Sequence, residues 1–203
     1  AYADMRLAPF VLALALVAIA PIASPGRAGS ALALAAVIFF AARIGATTAS
    51  FALASDRQAA ALVALDHVPR GARLLSLVVT QCDDGWHQQR LDHLPSMAVV
   101  RREAFANDQW FSPSAPLVSI RKADAPGFSW EPSQIVTDDR CPRVPWRTIG
   151  DALRQLPRSA FDYLWIIDGA RQAKPDARHF TLIWSNGRDS LFRIRPGDLP
   201  EPR

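Results

Sequence analysis

The first 54 residues constrain this chain most, because they are almost free of charge. Two apolar stretches, residues 7–24 and 30–42, are separated by the short segment 25–29. A secretory signal has a single apolar stretch, with basic residues before it and a cleavage site after it. Here a tight basic turn joins two stretches. The pattern predicts a hairpin of two transmembrane helices, with spans at about residues 5–24 and 30–48.

The second apolar stretch is interrupted by Arg43. In one interpretation the helix leaves the hydrocarbon near Arg43, whose side chain snorkels to the interface, and continues as an amphipathic segment. In the other the span reaches Ala54 and Arg43 faces a polar interior. The weakly apolar residues 46–50 favour the first. The chain begins with Ala1 rather than methionine, and we expect these helices to be the last two of a longer polytopic protein.

The turn between the predicted spans carries Arg27 and no acidic residue. Positive charge in short loops is typical of the cytoplasmic side. This places the turn in the cytoplasm and residues 55–203 outside it. The predicted location is therefore the bacterial inner membrane, multi-pass, with a periplasmic soluble domain and membrane lipid as a partner.

Residues 55–203 are numerous enough to bury a core of their own. Residues 55–66 predict a helix with an apolar stripe and Ser55 as its cap, and the apolar runs 72–80 and 161–168 predict buried strands. Residues 179–195 predict a hairpin, with Asn186 and Gly187 at its turn. We expect a mixed α/β domain, a sheet with helices in two or three layers, following the hairpin of residues 1–54.

The remaining segments are less regular. Residues 94–105 fit a helix or a short strand, and residues 117–121 predict a strand. Residues 123–146 are rich in proline, aspartate and tryptophan and predict a long irregular loop. Residues 148–156 predict a helix that Thr148 caps.

Charge and motifs exclude several classes of function. The net charge is +4 and the pI about 9.7, but the basic residues are scattered singly among acidic ones, so nucleic acid is not an expected partner. No glycine-rich phosphate loop, nucleophile elbow or zinc-binding pattern is present. The sequence predicts no cofactor and no metal.

The two cysteines, Cys82 and Cys141, leave two alternatives open. In an oxidising compartment they would form a disulfide. Otherwise they are two unpaired thiols. Without a supporting histidine pattern they do not predict a zinc site.

Two groups of polar residues are candidates for binding substrate. One lies just after the predicted strand 72–80, where ligands bind in open α/β sheets. It comprises Asp83, Asp84, His87 and His93, together with Trp86 and Arg90. Such carboxylates and histidines can bind ligands or move protons, although an ordinary polar loop would look the same.

The second candidate group is Asp4 and Arg6, at the mouth of the first predicted span. An arginine there suits the phosphate of a lipid-linked substrate, or it is an interfacial anchor. Trp110, Phe111 and Trp130 fit either lipid headgroups or a small hydrophobic cluster. Asp168, at the end of the predicted strand 161–168, fits either a site or a turn.

The segments PRGARLLSLVV, HLPSMAVVRREAF and FDYLWIID follow an apolar hairpin. In this arrangement the chain resembles the carboxyl-terminal part of bacterial multi-spanning membrane proteins described as lipid-sugar-dependent, GT-C-like glycosyltransferases. The resemblance implies transfer from a polyprenyl-phosphate-linked sugar on the periplasmic face. Catalytic carboxylates of such enzymes lie in early outward loops, so the resemblance assigns no catalytic residue here. The alternative is a non-catalytic, membrane-tethered periplasmic binding module.

Overall fold

The computed structural model divides the chain into two compact units, residues 1–51 and 52–203. The structure describes residues 3–18, 26–82, 90–110, 120, 124–142, 144–169 and 173–195.

Two helices occupy the amino-terminal region, α1 (Ala3–Val17) and α2 (Arg27–Leu62). Among the described residues, α2 with the 3₁₀ turn that follows is the one helix long and apolar enough to cross a membrane. The apolar part of α1, Leu7–Leu16, is shorter. The sequence predicted two spans, but the first of them is described only as far as residue 18. The large apolar side chains of these stretches are exposed, including Phe10, Phe39 and Phe40.

The helix predicted at 55–66 is present, but its predicted start is wrong. Helix α2 runs without a break through Arg43 and Ser55 to Leu62, and a 3₁₀ turn (Val63–His67) follows. Ser55 therefore lies inside a helix and does not cap one. The 3₁₀ turn ends just before Pro69 and Gly71, two residues that disfavour further helix, and Gly71 has a positive φ of 73°.

The second unit is built on a six-stranded sheet in the order β3-β2-β1-β4-β6-β5. The strands are β1 (Leu74–Thr80), β2 (Ile135–Thr137), β3 (Arg147–Thr148), β4 (Tyr163–Ile167), β5 (Phe180–Ser185) and β6 (Ser190–Ile194). Strands β1 to β4 are parallel, and β6 pairs antiparallel with both β4 and β5. The domain is therefore mixed α/β with a mixed sheet.

The central strands β1 and β4 are buried on both faces, which explains their continuous apolar sequences. Leu74 and Trp165 lie in a core with the end of α2 and the segment after it. On the opposite face, Leu75 and Leu164 pack against the helix α4 (Ile149–Gln155). Helical segments thus cover both faces of the sheet.

The other segment predictions had mixed outcomes. Thr148 caps α4 as expected, its hydroxyl accepting the backbone N–H of Asp151 at 3.1 Å. Residues 94–102 form a 3₁₀ turn and the short helix α3 (Met97–Arg102), and Phe105 forms an isolated parallel bridge with Arg73. The loop predicted at 123–146 contains strand β2. The strand predicted at 117–121 lies outside the described residues, apart from residue 120.

Candidate functional site

The carboxyl ends of the parallel strands meet at one edge of the sheet, where ligands bind in open α/β folds. Between β1 and β4, however, this edge is tightly packed. Gly169 lies directly against Val79, and a Cβ on Gly169 would come within 2.3 Å of the Val79 Cγ2 atom. The gap between these two strands is therefore filled by protein side chains.

A disulfide joins the segments that follow β1 and β2. Cys82 and Cys141 are bonded, with their Cα atoms 5.3 Å apart and a separation of 59 positions in sequence. Cys82 is exposed and Cys141 is buried. Of the two alternatives that the sequence left open, a disulfide or two unpaired thiols, the structure contains the disulfide. The bond links the two chain segments that leave this edge next to each other.

Asp168 lies at the same edge but belongs to an ion-pair network that joins three elements. It has a positive φ of 58° and accepts a hydrogen bond from Arg57 Nη2 at 2.9 Å. Arg57 also donates from Nη1 to the fully buried Asp189, at 2.7 Å. The Asp189 carboxylate also accepts the backbone N–H of Asp168 at 2.9 Å. Asp168 therefore has a structural role in holding the end of α2 to the sheet.

The predicted cluster after β1 is only partly described. Asp83, Asp84, Trp86 and His87 lie outside the described residues, so their roles stay predictions. The backbone carbonyl of Arg90 accepts a hydrogen bond from Gln58 of α2 at 2.8 Å. His93 is exposed, with its Nε2 atom 3.8 Å from a carboxylate oxygen of Glu131.

The carboxyl of Asp92, beside His93, has a pKa well above that of an ordinary aspartate. Burial raises the pKa of its carboxyl to about 6; the charge of His93 opposes the rise and that of Glu131 adds to it. A carboxyl with such a pKa changes charge near neutral pH. Asp92 was not among the sequence candidates, because nothing in the sequence shows that it is half-buried.

We expect Asp92 to destabilise the fold as pH rises. An unfolded aspartate titrates near 3.8 and the folded one near 6, so the folded state binds more protons between these values and loses stability as pH increases through them. Asp92→Asn removes this loss. Its melting temperature should match that of the wild type near pH 4 and exceed it at about pH 7.

The control is Asp138→Asn, at an exposed aspartate outside this cluster. The melting temperature of this variant should differ from that of the wild type by the same amount at both pH values. Equal melting curves for the wild type and Asp92→Asn across the whole range would show that Asp92 titrates normally.

Asp4 and Arg6 fall in the first turns of α1, but their side chains lie outside what the structure describes. Their proposed contact with a phosphate stays a prediction. Within the described ranges, no three side chains of histidine, cysteine, aspartate or glutamate are grouped closely enough to hold a metal ion.

A cleft of about 190 Å³ lies beside strands β2 and β3. We call it the tryptophan cleft; it is lined by Gly127, Ser129, Trp130, Pro132, Ser133, Ile135, Pro145, Trp146 and Arg147. Its walls combine two indoles and two proline rings with one charged group. Parallel pairing of β2 with β3 brings the segments before these strands together.

Arg147 is held in a defined orientation at this cleft. Its guanidinium carbon lies 4.5 Å from the centroid of the Phe128 ring, and its Nη1 atom donates to the Gly127 carbonyl at 2.8 Å. Gly127 has a positive φ of 73°, and a Cβ there would lie 2.6 Å from Arg147 Nη2. A glycine at this position is therefore favoured for two reasons: its backbone φ is positive, and a side chain would clash with Arg147.

No family model, curated protein or solved structure matches this chain. Sequence reasoning singled out Trp130 but neither Trp146 nor Arg147. The signal in the sequence is the density of proline and tryptophan in residues 123–146, which by itself predicts only an irregular loop.

Proposed function

We propose that this chain is part of a polytopic inner-membrane protein of the glycosyltransferase-like type, and that its α/β unit lies on the periplasmic face. There it binds the donor or acceptor of a sugar transfer from a polyprenyl-phosphate-linked sugar. The catalytic carboxylates would belong to other parts of the membrane protein. The two predicted spans would anchor the unit beside them.

The observation that carries this proposal is a disulfide in a domain attached to an exposed apolar helix. Disulfides persist in oxidising compartments such as the periplasm and are rare in the cytosol. Cys82–Cys141 joins two neighbouring segments of the sheet edge. Helix α2 exposes apolar side chains that favour lipid over water. Together with Arg27 in the predicted cytoplasmic turn, these features support an outward-facing domain.

The alternative is a membrane-tethered binding module that takes no part in catalysis. The tryptophan cleft favours a binding role, because it combines flat apolar walls with one oriented cation. No carboxylate is among its described lining residues. The two functions share the same location and differ in whether sugar transfer depends on the protein.

The location is tested by thiol labelling in right-side-out spheroplasts with a membrane-impermeant maleimide. Cys141→Ser frees the exposed Cys82, which should label from outside. The matched control is Ala28→Cys in a protein that lacks both natural cysteines. Because residue 28 lies in the predicted cytoplasmic turn, it should label only after lysis. Labelling in the opposite pattern would place the α/β unit in the cytoplasm and overturn the proposal.

The activity is tested with the full-length membrane protein and a radiolabelled polyprenyl-phosphate sugar. We expect membranes containing the protein to consume this donor faster than membranes from a deletion strain. If the α/β unit labels from outside but the donor is consumed equally in both membranes, the binding module is the correct function.

A further inference from the structure

We propose that the tryptophan cleft binds a single sugar unit that carries an anionic group, either a carboxylate or a phosphate. This inference rests on the proposed function for the choice of a sugar among anionic ligands. The cleft itself argues for the size, shape and charge of the ligand. At about 190 Å³ it is smaller than the pockets that hold drug-sized molecules, and it suits one ring.

The charge of the ligand follows from Arg147. Stacking on Phe128 and the hydrogen bond to the Gly127 carbonyl hold the guanidinium in place. The Nε and Nη2 atoms make no hydrogen bond to protein within the described part of the chain. A planar guanidinium with free donors is suited to binding a carboxylate or phosphate through two hydrogen bonds. Because the arginine is already oriented, little side-chain entropy is lost on binding.

The flat walls of the cleft suit the ring of the ligand. Trp130 is 47% exposed and lines the cleft together with Trp146. An indole face has a negative electrostatic potential that attracts polarised hydrogens. One face of a pyranose ring presents C–H groups of this kind, and its hydroxyls remain at the rim. A sugar stacked on an indole with its acidic group towards Arg147 would use both features of the cleft.

The experiment is calorimetric titration of the full chain in phosphatidylcholine nanodiscs, which exclude sugar-based detergents and anionic lipids. The probes are methyl glucuronide, glucose 1-phosphate, uncharged methyl glucoside and inorganic phosphate. We expect the two charged sugars to bind and the uncharged one to bind at least about tenfold more weakly, since a hydrogen-bonded charge is lost. Tighter binding of glucose 1-phosphate would assign the charge to a donor phosphate. Tighter binding of the glucuronide would assign it to an acidic acceptor sugar.

The variants are Arg147→Gln and Trp130→Ala, and each should weaken binding of the charged sugars by about tenfold. Arg147→Lys, which keeps the charge without the planar fork, should weaken it less than Arg147→Gln. Matched controls outside the cleft are Arg188→Gln and Trp110→Ala, both at exposed positions. They should bind like the wild type. Melting temperatures establish that every variant folds.

Three results would overturn the proposal. The first is that neither charged sugar binds. The second is that the Arg147 and Trp130 variants bind the charged sugars as tightly as the wild type does. The third is that inorganic phosphate binds as tightly as glucose 1-phosphate. Each concerns the cleft alone, because the probes are water-soluble and the assay measures no transfer. Failure of the proposed function would instead appear in the labelling and donor-consumption experiments.

Discussion

Removing the Cys82–Cys141 disulfide should lower the free energy of unfolding of the α/β unit by about 4 kcal/mol, the value the chain-entropy model assigns to a loop of 59 residues. The bond restricts the unfolded chain, and its loss makes unfolding more favourable. Cys82→Ser is the suitable variant because residue 82 is exposed, so the new hydroxyl is not buried. The measurement is equilibrium urea unfolding of the full chain in nanodiscs, followed by tryptophan fluorescence.

Reduction of the wild type supplies the control. The reduced wild type should unfold at the same urea concentration as Cys82→Ser, and reductant should not change the variant further. If reduction and Cys82→Ser both left the unfolding curve of the oxidised protein unchanged, the two cysteines would not be bonded in the folded protein. The support that the disulfide gives to a periplasmic location would then be lost.

The central sheet was predictable because its signals are local. The apolar runs containing Leu74–Thr80 and Tyr163–Ile167 form strands that are buried on both faces, and a continuous apolar sequence is typical of this position. The hairpin was predictable from Asn186 and Gly187 between two strand-like runs, and its strands pair antiparallel as expected. In each case a few neighbouring residues determine the element.

Other parts of the fold depend on residues distant in sequence. Strand β2 has only three residues, Ile135–Thr137, inside a segment rich in proline, and it forms because β1 and β3 pair with it on either side. Similarly, α2 extends past Ser55 because Ala61 and Leu62 are buried against the sheet. Tertiary packing here overrides the local signals for a loop and a cap.

The candidate sites likewise combine residues that local sequence identifies with contacts that depend on residues distant in sequence. Both cysteines were recognised, but sequence gives no distance between residues 59 positions apart, so their pairing stayed open. Asp168 was noted at a strand end, whereas its partners Arg57 and Asp189 were not. Arg57 and Asp189 are 132 residues apart. The tryptophan cleft is not predictable from sequence, because Trp130 and Trp146 line the same cleft only when β2 and β3 pair.

The ion pair between Arg57 and Asp189 should contribute strongly to stability, because Asp189 is fully buried and the Arg57 side chain is only 17% exposed. Asp189 also accepts a hydrogen bond from Asn186 Nδ2 at 2.9 Å, so it connects α2 to the hairpin turn as well as to the end of β4. Arg57→Met keeps much of the side-chain volume but leaves the buried carboxylate without its cation. We expect it to lower the free energy of unfolding by about 3–5 kcal/mol.

A double-mutant cycle with Asp189→Leu tests whether this loss comes from the pair itself. Arg57→Met leaves the buried Asp189 carboxylate without its cation, whereas Asp189→Leu leaves Arg57 with the more exposed Asp168 as its remaining carboxylate. The double variant Arg57→Met/Asp189→Leu removes both members of the buried pair. The double variant should therefore be more stable than the sum of the two single losses predicts. The matched control is the exposed pair Arg178–Asp176, where Arg178→Met should leave the unfolding curve unchanged because water solvates the remaining carboxylate. Strictly additive losses at Arg57 and Asp189 would mean that the two side chains stabilise the domain independently of each other.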